Sequence, residues 1–194
     1  MKVVARAGTV QAEAALAAGA RVVARSWGAG LDVADADPRS WQRARAAVAG
    51  LAVLRELGPA DREAILALDR ATVADYPGDV ATSRAPLTAA GATPTPGRRA
   101  FGALAGDALV AMTFVDVDGE RGETDLTVVA RDWRGRGLAA AVKALSLGEL
   151  RAAGVRRFRT GGAAENAAII AVNESLGYVR DEEWLTLDHP AESA

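Results

Sequence analysis

The stretch Thr127-Val128-Val129-Ala130-Arg131-Asp132-Trp133-Arg134-Gly135-Arg136-Gly137-Leu138-Ala139 decides how this chain is read. A β-prone run passes into a loop carrying two glycines, and the loop opens a helix. Backbone N–H groups at such a turn lack helical partners and point one way. With the helix dipole they form a site for a phosphate group. The glycines let the backbone approach phosphates with no Cβ in the way. Arg134 and Arg136 add positive charge.

Working outward, Glu123–Val129 reads as the strand and Gly137–Ala153 as the amphipathic helix, with Leu138, Val142 and Leu145 on one stripe. Before them lie strands at Arg99–Leu104 and Leu109–Val117, the second turned by Asp118-Gly119, a hairpin signal. After them come a strand at Val155–Thr160, a helix at Asn166–Leu176 closed by Gly177, and a strand at Val179–Asp188. On the N-terminal side, Leu51–Leu57 reads as a strand and Asp61–Ala74 as a helix stopped by Asp75-Tyr76-Pro77-Gly78. The order predicts a mixed α/β (α+β) sheet with an antiparallel middle, not a repeated βαβ. Further back are a strand at Lys2–Arg6, an alanine helix at Gln11–Ala18, a weak strand at Arg21–Trp27 and a helix from Asp37-Pro38 to about Ala49. The sequence divides into an N-terminal segment 1–45, a main domain 46–188 and a tail 189–194. A weak internal repeat makes 1–33 an echo of the last third of the main domain.

Composition excludes several chemistries. With no cysteine and one histidine in 194 residues, there is no thiolate nucleophile, zinc-thiolate site or multi-histidine metal site, and no metal is expected. Of the 50% hydrophobic residues, 46 are alanine; this suits one core and no membrane span. Arg6 interrupts the apolar start, so no secretory signal is expected and a cytoplasmic location is the default. The net charge of −2 hides a window, 121–160, that carries +5. A basic segment in an acidic chain suggests one bound anionic ligand rather than a nucleic-acid surface.

Gly135-x-Gly137-x-x-Ala140 also satisfies a dinucleotide fingerprint, the basis of an alternative NADP-binding reading. That reading wants the motif at the first strand and an acidic residue ~20 positions on. Here the following strand ends Arg157-Phe158-Arg159-Thr160, with no acid. No Gly-Lys-Ser/Thr occurs, so there is no P-loop.

The segment more closely resembles the acetyl-CoA site of the GNAT superfamily of N-acetyltransferases, whose Gln/Arg-x-x-Gly-x-Gly/Ala signature is matched by Arg134-Gly-Arg-Gly137-Leu-Ala139. A second landmark, an Asn-bearing helix ending in Leu-Gly-aromatic, is matched by Asn166 to Leu176-Gly177-Tyr178. Asp75-Tyr76-Pro77 and Trp27…Leu31-Asp32 resemble pieces of actinobacterial tandem GNAT proteins of the mycothiol synthase kind, with this chain as the C-terminal half plus a remnant. The resemblance covers about 51–188. It implies that Arg134, Gly135, Arg136, Gly137, Leu138, Ala139 and Ala140 hold the pyrophosphate, with Arg131 and Arg136 reaching nucleotide phosphates. Thr127, Val128 and Val129 would line the pantetheine arm, and the Val129 N–H would polarise the thioester carbonyl. Asn166 and Asn173 lie where the family contacts that arm.

The implied reaction is direct attack of a primary amine, on a small molecule or a protein, on acetyl-CoA. An alkyl amine is mostly protonated at neutral pH, since its pKa is about 10.4, so a base is needed. Glu123 and Asp125, alternating with Thr127 on one strand face, are the candidates. The position that carries a Tyr proton donor in many relatives is Asn173. That departure keeps a non-catalytic CoA-binding module as an alternative. Asp75 and Tyr76 are expected at the substrate, with Asp75, Asp79, Asp116 and Asp118 forming an acidic mouth. A monomer or homodimer is expected. The family fold commonly has a seventh strand beyond Asp188, which Arg21–Val33 is expected to supply, in the same chain or in a dimer partner.

Overall fold

The structure, a computed structural model, describes residues 1–75 and 80–189. In chain order the elements are β1 (Lys2–Arg6), α1 (Val10–Ala17), β2 (Arg21–Asp32), α2 (Pro38–Ala46), β3 (Val53–Leu57), α3 (Arg62–Thr72), β4 (Arg98–Ala105), β5 (Ala108–Asp118), β6 (Arg121–Val129), α4 (Leu138–Ala152), β7 (Arg157–Ala163), α5 (Ala167–Ser175) and β8 (Val179–Asp188). Each expected element is present within a few residues of its expected ends, except at β2 and β7.

The strands form one mixed sheet, ordered β1-β8-β2-β7-β6-β5-β4-β3. The pairing of β6 with β7 is parallel, and the other pairings are antiparallel. That parallel pairing lasts for only three residue pairs, Arg121↔Arg157, Gly122↔Phe158 and Glu123↔Arg159. Beyond them the strands separate. A doubly wound dinucleotide-binding fold has a largely parallel sheet, so the glycine loop does not sit in one.

β2 runs to Asp32, past the expected end at Trp27, because it is paired on both sides. Ser26–Asp32 pairs with β7, and most of β2 pairs with β8. It is therefore the strand expected from Arg21–Val33, supplied within the same chain. Its inward residues Trp27, Ala29 and Leu31 are buried, and Trp27 Nε1 donates to the Ala163 carbonyl at 3.1 Å. β7 begins later than expected and continues to Ala163 through Gly161-Gly162. A glycine pair inside a strand marks a close backbone approach: a Cβ on Gly161 would lie 2.7 Å from the Trp27 carbonyl oxygen.

One sheet face carries α1, α2, α4 and α5. Its main core gathers Trp27, Trp41, Leu147, Leu150, Phe158 and Tyr178, and Trp41 Nε1 donates to the Leu176 carbonyl at 2.9 Å. The other face carries α3, whose Ile65 and Leu68 pack on Met112, Phe114, Leu126 and Val128. α3 covers only the β3–β6 half of that face, which leaves β2, β7 and β8 to floor a cleft. Because β2 completes the main sheet, Trp27→Ala is expected to cost about 3–5 kcal/mol, as a buried Trp truncation does, measured by urea denaturation. A cost under about 1 kcal/mol, the range of surface changes, would show that residues 1–45 are a dispensable appendage.

Candidate functional site

The loop Arg134–Gly137 turns through two left-handed glycines, Gly135 (φ 73°) and Gly137 (φ 81°), the second capping α4. A side chain is strained in that backbone region, so the turn requires glycine. Among the described residues, the backbone N–H groups of Gly135 to Ala140 donate to no protein acceptor. Six adjacent unpaired donors at a helix N-terminus are a cradle for an anion.

The arginines around the cradle are held in place. Asp75 accepts from Arg131 at 2.5 Å and from Arg134 at 2.8 Å. Arg134 Nε also donates to the Val129 carbonyl at 3.2 Å. Arg136 donates to the Asp132 carbonyl at 3.1 Å and stacks over Trp133 at 5.0 Å. The hydrogen bonds from Arg131 and then Arg134 hold the Asp75 carboxyl below its ordinary range. Asp75 was expected at an acceptor mouth; it stands instead against the arginines of the loop.

From the cradle a cavity of about 520 Å³ runs between the separating β6 and β7 under α4 and α5. Thr127, Val128, Val129, Arg134, Gly135, Gly137, Leu138, Ala139, Ala140 and Asn166 line it; Asn173 does not. The β5–β6 register shows which backbone groups face it. Ala130 N–H donates to the Val110 carbonyl while Ala111 opposes Val129. Ala111↔Val129 is therefore a non-hydrogen-bonded pair, and Val129 turns its N–H and C=O away from β5. Two residues back, Thr127 does the same. Both turn this strand edge to the cavity, with the Val129 carbonyl already taken by Arg134 Nε, and Thr127 lies nearer its inner end.

β6 carries a bulge. Phe114 opposes Leu126 and Val115 opposes Thr124, so Asp125 has no partner. The extra residue reverses the alternation. Glu123 and Thr127, expected on one face, lie on opposite faces: Thr124 and Thr127 face α4, and Glu123 faces the α3 side. There a second cavity, of about 540 Å³, is lined by Asp116, Glu123, Asp125, Glu182, Arg84 and Arg159 among others. The two cavities share Thr124, Asp125, Thr160, Gly161 and Gly162, so they meet through the gap between the strands.

The candidate bases differ in their partners. Asp125 and Asp116 both bind Arg98, at 2.5 and 2.7 Å, with the guanidinium over Phe114. Glu123 has no ion pair or side-chain hydrogen bond among the described residues. The expected acidic mouth is thus redistributed: Glu123, Asp125, Asp116 and Glu182 edge the second cavity, Asp118 sits at the hairpin end, and Tyr76 and Asp79 lie outside the described residues. Arg84 joins the buried Asp69 of α3 at 2.6 Å, which ties the segment after residue 80 over this cavity.

Asn166 caps α5, its side chain accepting from Ile169 N–H at 3.2 Å, and also lines the first cavity. Asn173 is buried and donates to the Ile169 carbonyl at 2.8 Å, back onto its own helix.

One group was missed in the sequence. Lys143, on α4, is 1% exposed. Its Nζ donates to Thr124 Oγ1 at 3.1 Å and Thr160 Oγ1 at 3.4 Å, one on each separating strand. It lies 5.4 Å from the Tyr178 ring centre. Burial without an anionic partner lowers the Lys143 pKa to about 7 and raises that of Tyr178. The available signal was a single charge in the apolar run Leu138–Leu147.

No protein-family model matches the chain, and no curated protein matches it. Solved structures do. A GNAT-family acetyltransferase of Novosphingobium aromaticivorans is 21% identical over 89% of this chain and 69% of its own, with a TM-score of 0.59. A tandem GNAT protein from the clavulanic acid biosynthesis pathway is 25% identical over 96% of this chain and 63% of its own, at 0.63. A GCN5-related N-acetyltransferase of Sphaerobacter thermophilus is 15% identical over 96% and 58%, at 0.67. The chain therefore spans between 58% and 69% of the lengths of these proteins. The fold is that of the GNAT superfamily of N-acetyltransferases.

The buried lysine has a thermodynamic consequence. Its folded-state pKa of about 7 lies below the ordinary 10.5, so the folded state binds its proton less tightly than the unfolded chain does. The destabilisation is full below pH 7 and fades as pH rises toward 10. Lys143→Met is therefore expected to melt higher than wild type at pH 6, with the gap narrowing through pH 9, as read by calorimetric melting. A gap independent of pH would contradict the assignment.

Proposed function

We propose that this chain is an acetyl-CoA-dependent N-acetyltransferase acting on a primary amine. The observation that carries the reading is the meeting of two cavities through the gap between β6 and β7. One leads from an anion cradle and the other is edged by carboxylates. The residues present fit the cofactor: the six unpaired amides of Gly135 to Ala140 would hold the pyrophosphate. The open edge at Thr127 and Val129 would take the amide-bearing pantetheine arm as an added strand. Acetyl-CoA bound there supplies an acetyl group activated as a thioester. The N–H of Thr127 or Val129 would polarise its carbonyl. Of these two, Thr127 lies closer to the shared rim.

Glu123 is the better base. Its carboxylate faces the acceptor cavity and makes no ion pair among the described residues, its β7 neighbour Arg159 being engaged by Asp181 and Glu182, whereas Asp125 is held by Arg98. It would take a proton from the acceptor ammonium so that the free amine attacks directly. The acceptor is a small molecule or a protein amine; the carboxylates that edge the cavity suit a cationic group. The neighbours include a ribosomal-protein-S18-alanine N-acetyltransferase from Escherichia coli, 17% identical, which supports keeping a protein amine among the acceptors.

Calorimetry is expected to show acetyl-CoA and CoA binding and no heat with NADPH. Gly137→Glu should abolish CoA binding, because a carboxylate beside the cradle repels the pyrophosphate and the positive φ strains the backbone. Glu123→Gln should lower kcat/KM by about 10²–10⁴-fold with acetyl-CoA affinity unchanged. Binding of acetyl-CoA with no CoA release across an amine panel would favour the non-catalytic module.

A further inference from the structure

The separation of β6 and β7 leaves one titratable side chain at its apex. Lys143 Nζ hydrogen-bonds Thr124 and Thr160. These two threonines line both the donor and the acceptor cavity. Lys143 itself lines the donor cavity. A group passing between the cavities moves past this nitrogen. The position that would carry a tyrosine proton donor is Asn173, whose amide has no acidic proton and whose side chain is turned into its own helix.

We propose that Lys143 is the proton donor to the departing CoA sulfur, an inference that rests on the acetyltransferase reading above. The acceptor nitrogen forms its bond to the acetyl carbon, and the C–S bond breaks with its electron pair going to sulfur. The Lys143 ammonium gives sulfur a proton, yielding the CoA thiol and a neutral amine. The surplus proton on the acceptor nitrogen leaves through the base, and Lys143 regains a proton from solvent. No oxidant or further reactant is required.

The surroundings allow this titration. Among the described residues Lys143 makes no ion pair. From the α5–β8 turn it faces Tyr178, itself held neutral by burial. On β6 Glu123 lies toward the other cavity, and Asp125, which lines both, is bound by Arg98. On β7 Arg159 is engaged by Asp181 and Glu182. On β8, Asp181 and Glu182 are thereby occupied. The flanking charges of α2, Arg43 and Arg45, and Glu149 of α4 itself form no contact with Nζ. Desolvation thus sets the lysine near neutrality, where it can both hold and release a proton.

The chain contains two lysines, Lys2 and Lys143, so ¹³Cε-lysine labelling of the whole protein gives two resonances, and Lys143→Met assigns them. The Lys143 resonance is expected to titrate near neutral pH. Its midpoint should shift by at least about half a unit when CoA binds, because the CoA thiol and Nζ then titrate as a coupled pair. Desulfo-CoA, which lacks the sulfur, should leave it unmoved. Equal midpoints with the two ligands overturn the proposal. In turnover, with water or an amine panel as acceptor, wild-type kcat should fall as pH rises through that midpoint. Lys143→Met should lower kcat at least tenfold, keep KM for acetyl-CoA within twofold and lose that descending limb. A limb that persists in the variant overturns the donor role alone; bound CoA with no turnover of the wild type for any acceptor overturns the acetyltransferase reading. Absence of CoA binding in calorimetry overturns the acetyltransferase reading itself, so the two failures are distinguishable.

Discussion

The structure depends on the failure of β6 and β7 to pair beyond Glu123 and Arg159. Three features enforce it. The bulge at Asp125 bends β6 just past the last shared pair. β2 is laid against β7 from Ser26 to Asp32, and Gly161 lets the backbones close. Lys143 stands between Thr124 and Thr160, where the next pairs would form. Each strand is satisfied on its outer edge, β6 by β5 and β7 by β2, so the sheet survives the opening. The inner edges keep their N–H and C=O groups for water or ligand, since unpaired backbone groups cannot be left buried.

The charges follow the same geometry. The basic window at 121–160 was read as a site for one anion, and three of its arginines, Arg131, Arg134 and Arg136, stand around the cradle. Yet Arg131 and Arg134 share Asp75, whose single negative charge offsets one of their two positive charges, and Arg136 is held on Trp133 and a carbonyl. In this arrangement the backbone amides, which have no competing acceptor, are the strongest feature for phosphate. The arginines shape the loop first: Arg134 clamps the last strand carbonyl, and Asp75 fastens the end of α3 to the loop. Asp75 is a site residue that joins elements, although its sequence context suggested contact with the acceptor.

Local patterns made most of the fold legible. Period-two alternation, the Asp118-Gly119 turn, and the capping residues Asp37, Asn166, Gly137 and Gly177 placed the strands and helices. The loop glycines gave the cradle because backbone geometry restricts those positions to glycine. The side-chain faces of β6 were not legible. A one-residue bulge reverses every later position, and its signal is a partner strand rather than a local composition. The length of β2 was hidden for a similar reason. Gly28-Ala29-Gly30 has little strand propensity of its own; it stays in β2 because β7 and β8 pair with it on both sides, and the two glycines leave room for the Arg159, Asp181 and Glu182 side chains. Asn173 matched its motif in position, but its amide has a nearer acceptor in the Ile169 carbonyl.

The buried cation is a lysine in a chain where all but two of the 23 cations are arginine. The difference is physical. Arginine stays charged at any accessible pH, and a charged guanidinium at the apex would need a carboxylate that this region lacks. Lysine can enter as a neutral amine by giving up its proton, and two threonine hydroxyls then satisfy it from the two strands. A methionine or leucine would fill the same space between α4 and the sheet at less electrostatic cost. Packing alone therefore does not call for an ionisable group at this position. What lysine adds is a proton whose binding is balanced near neutrality, at the point where the two cavities join.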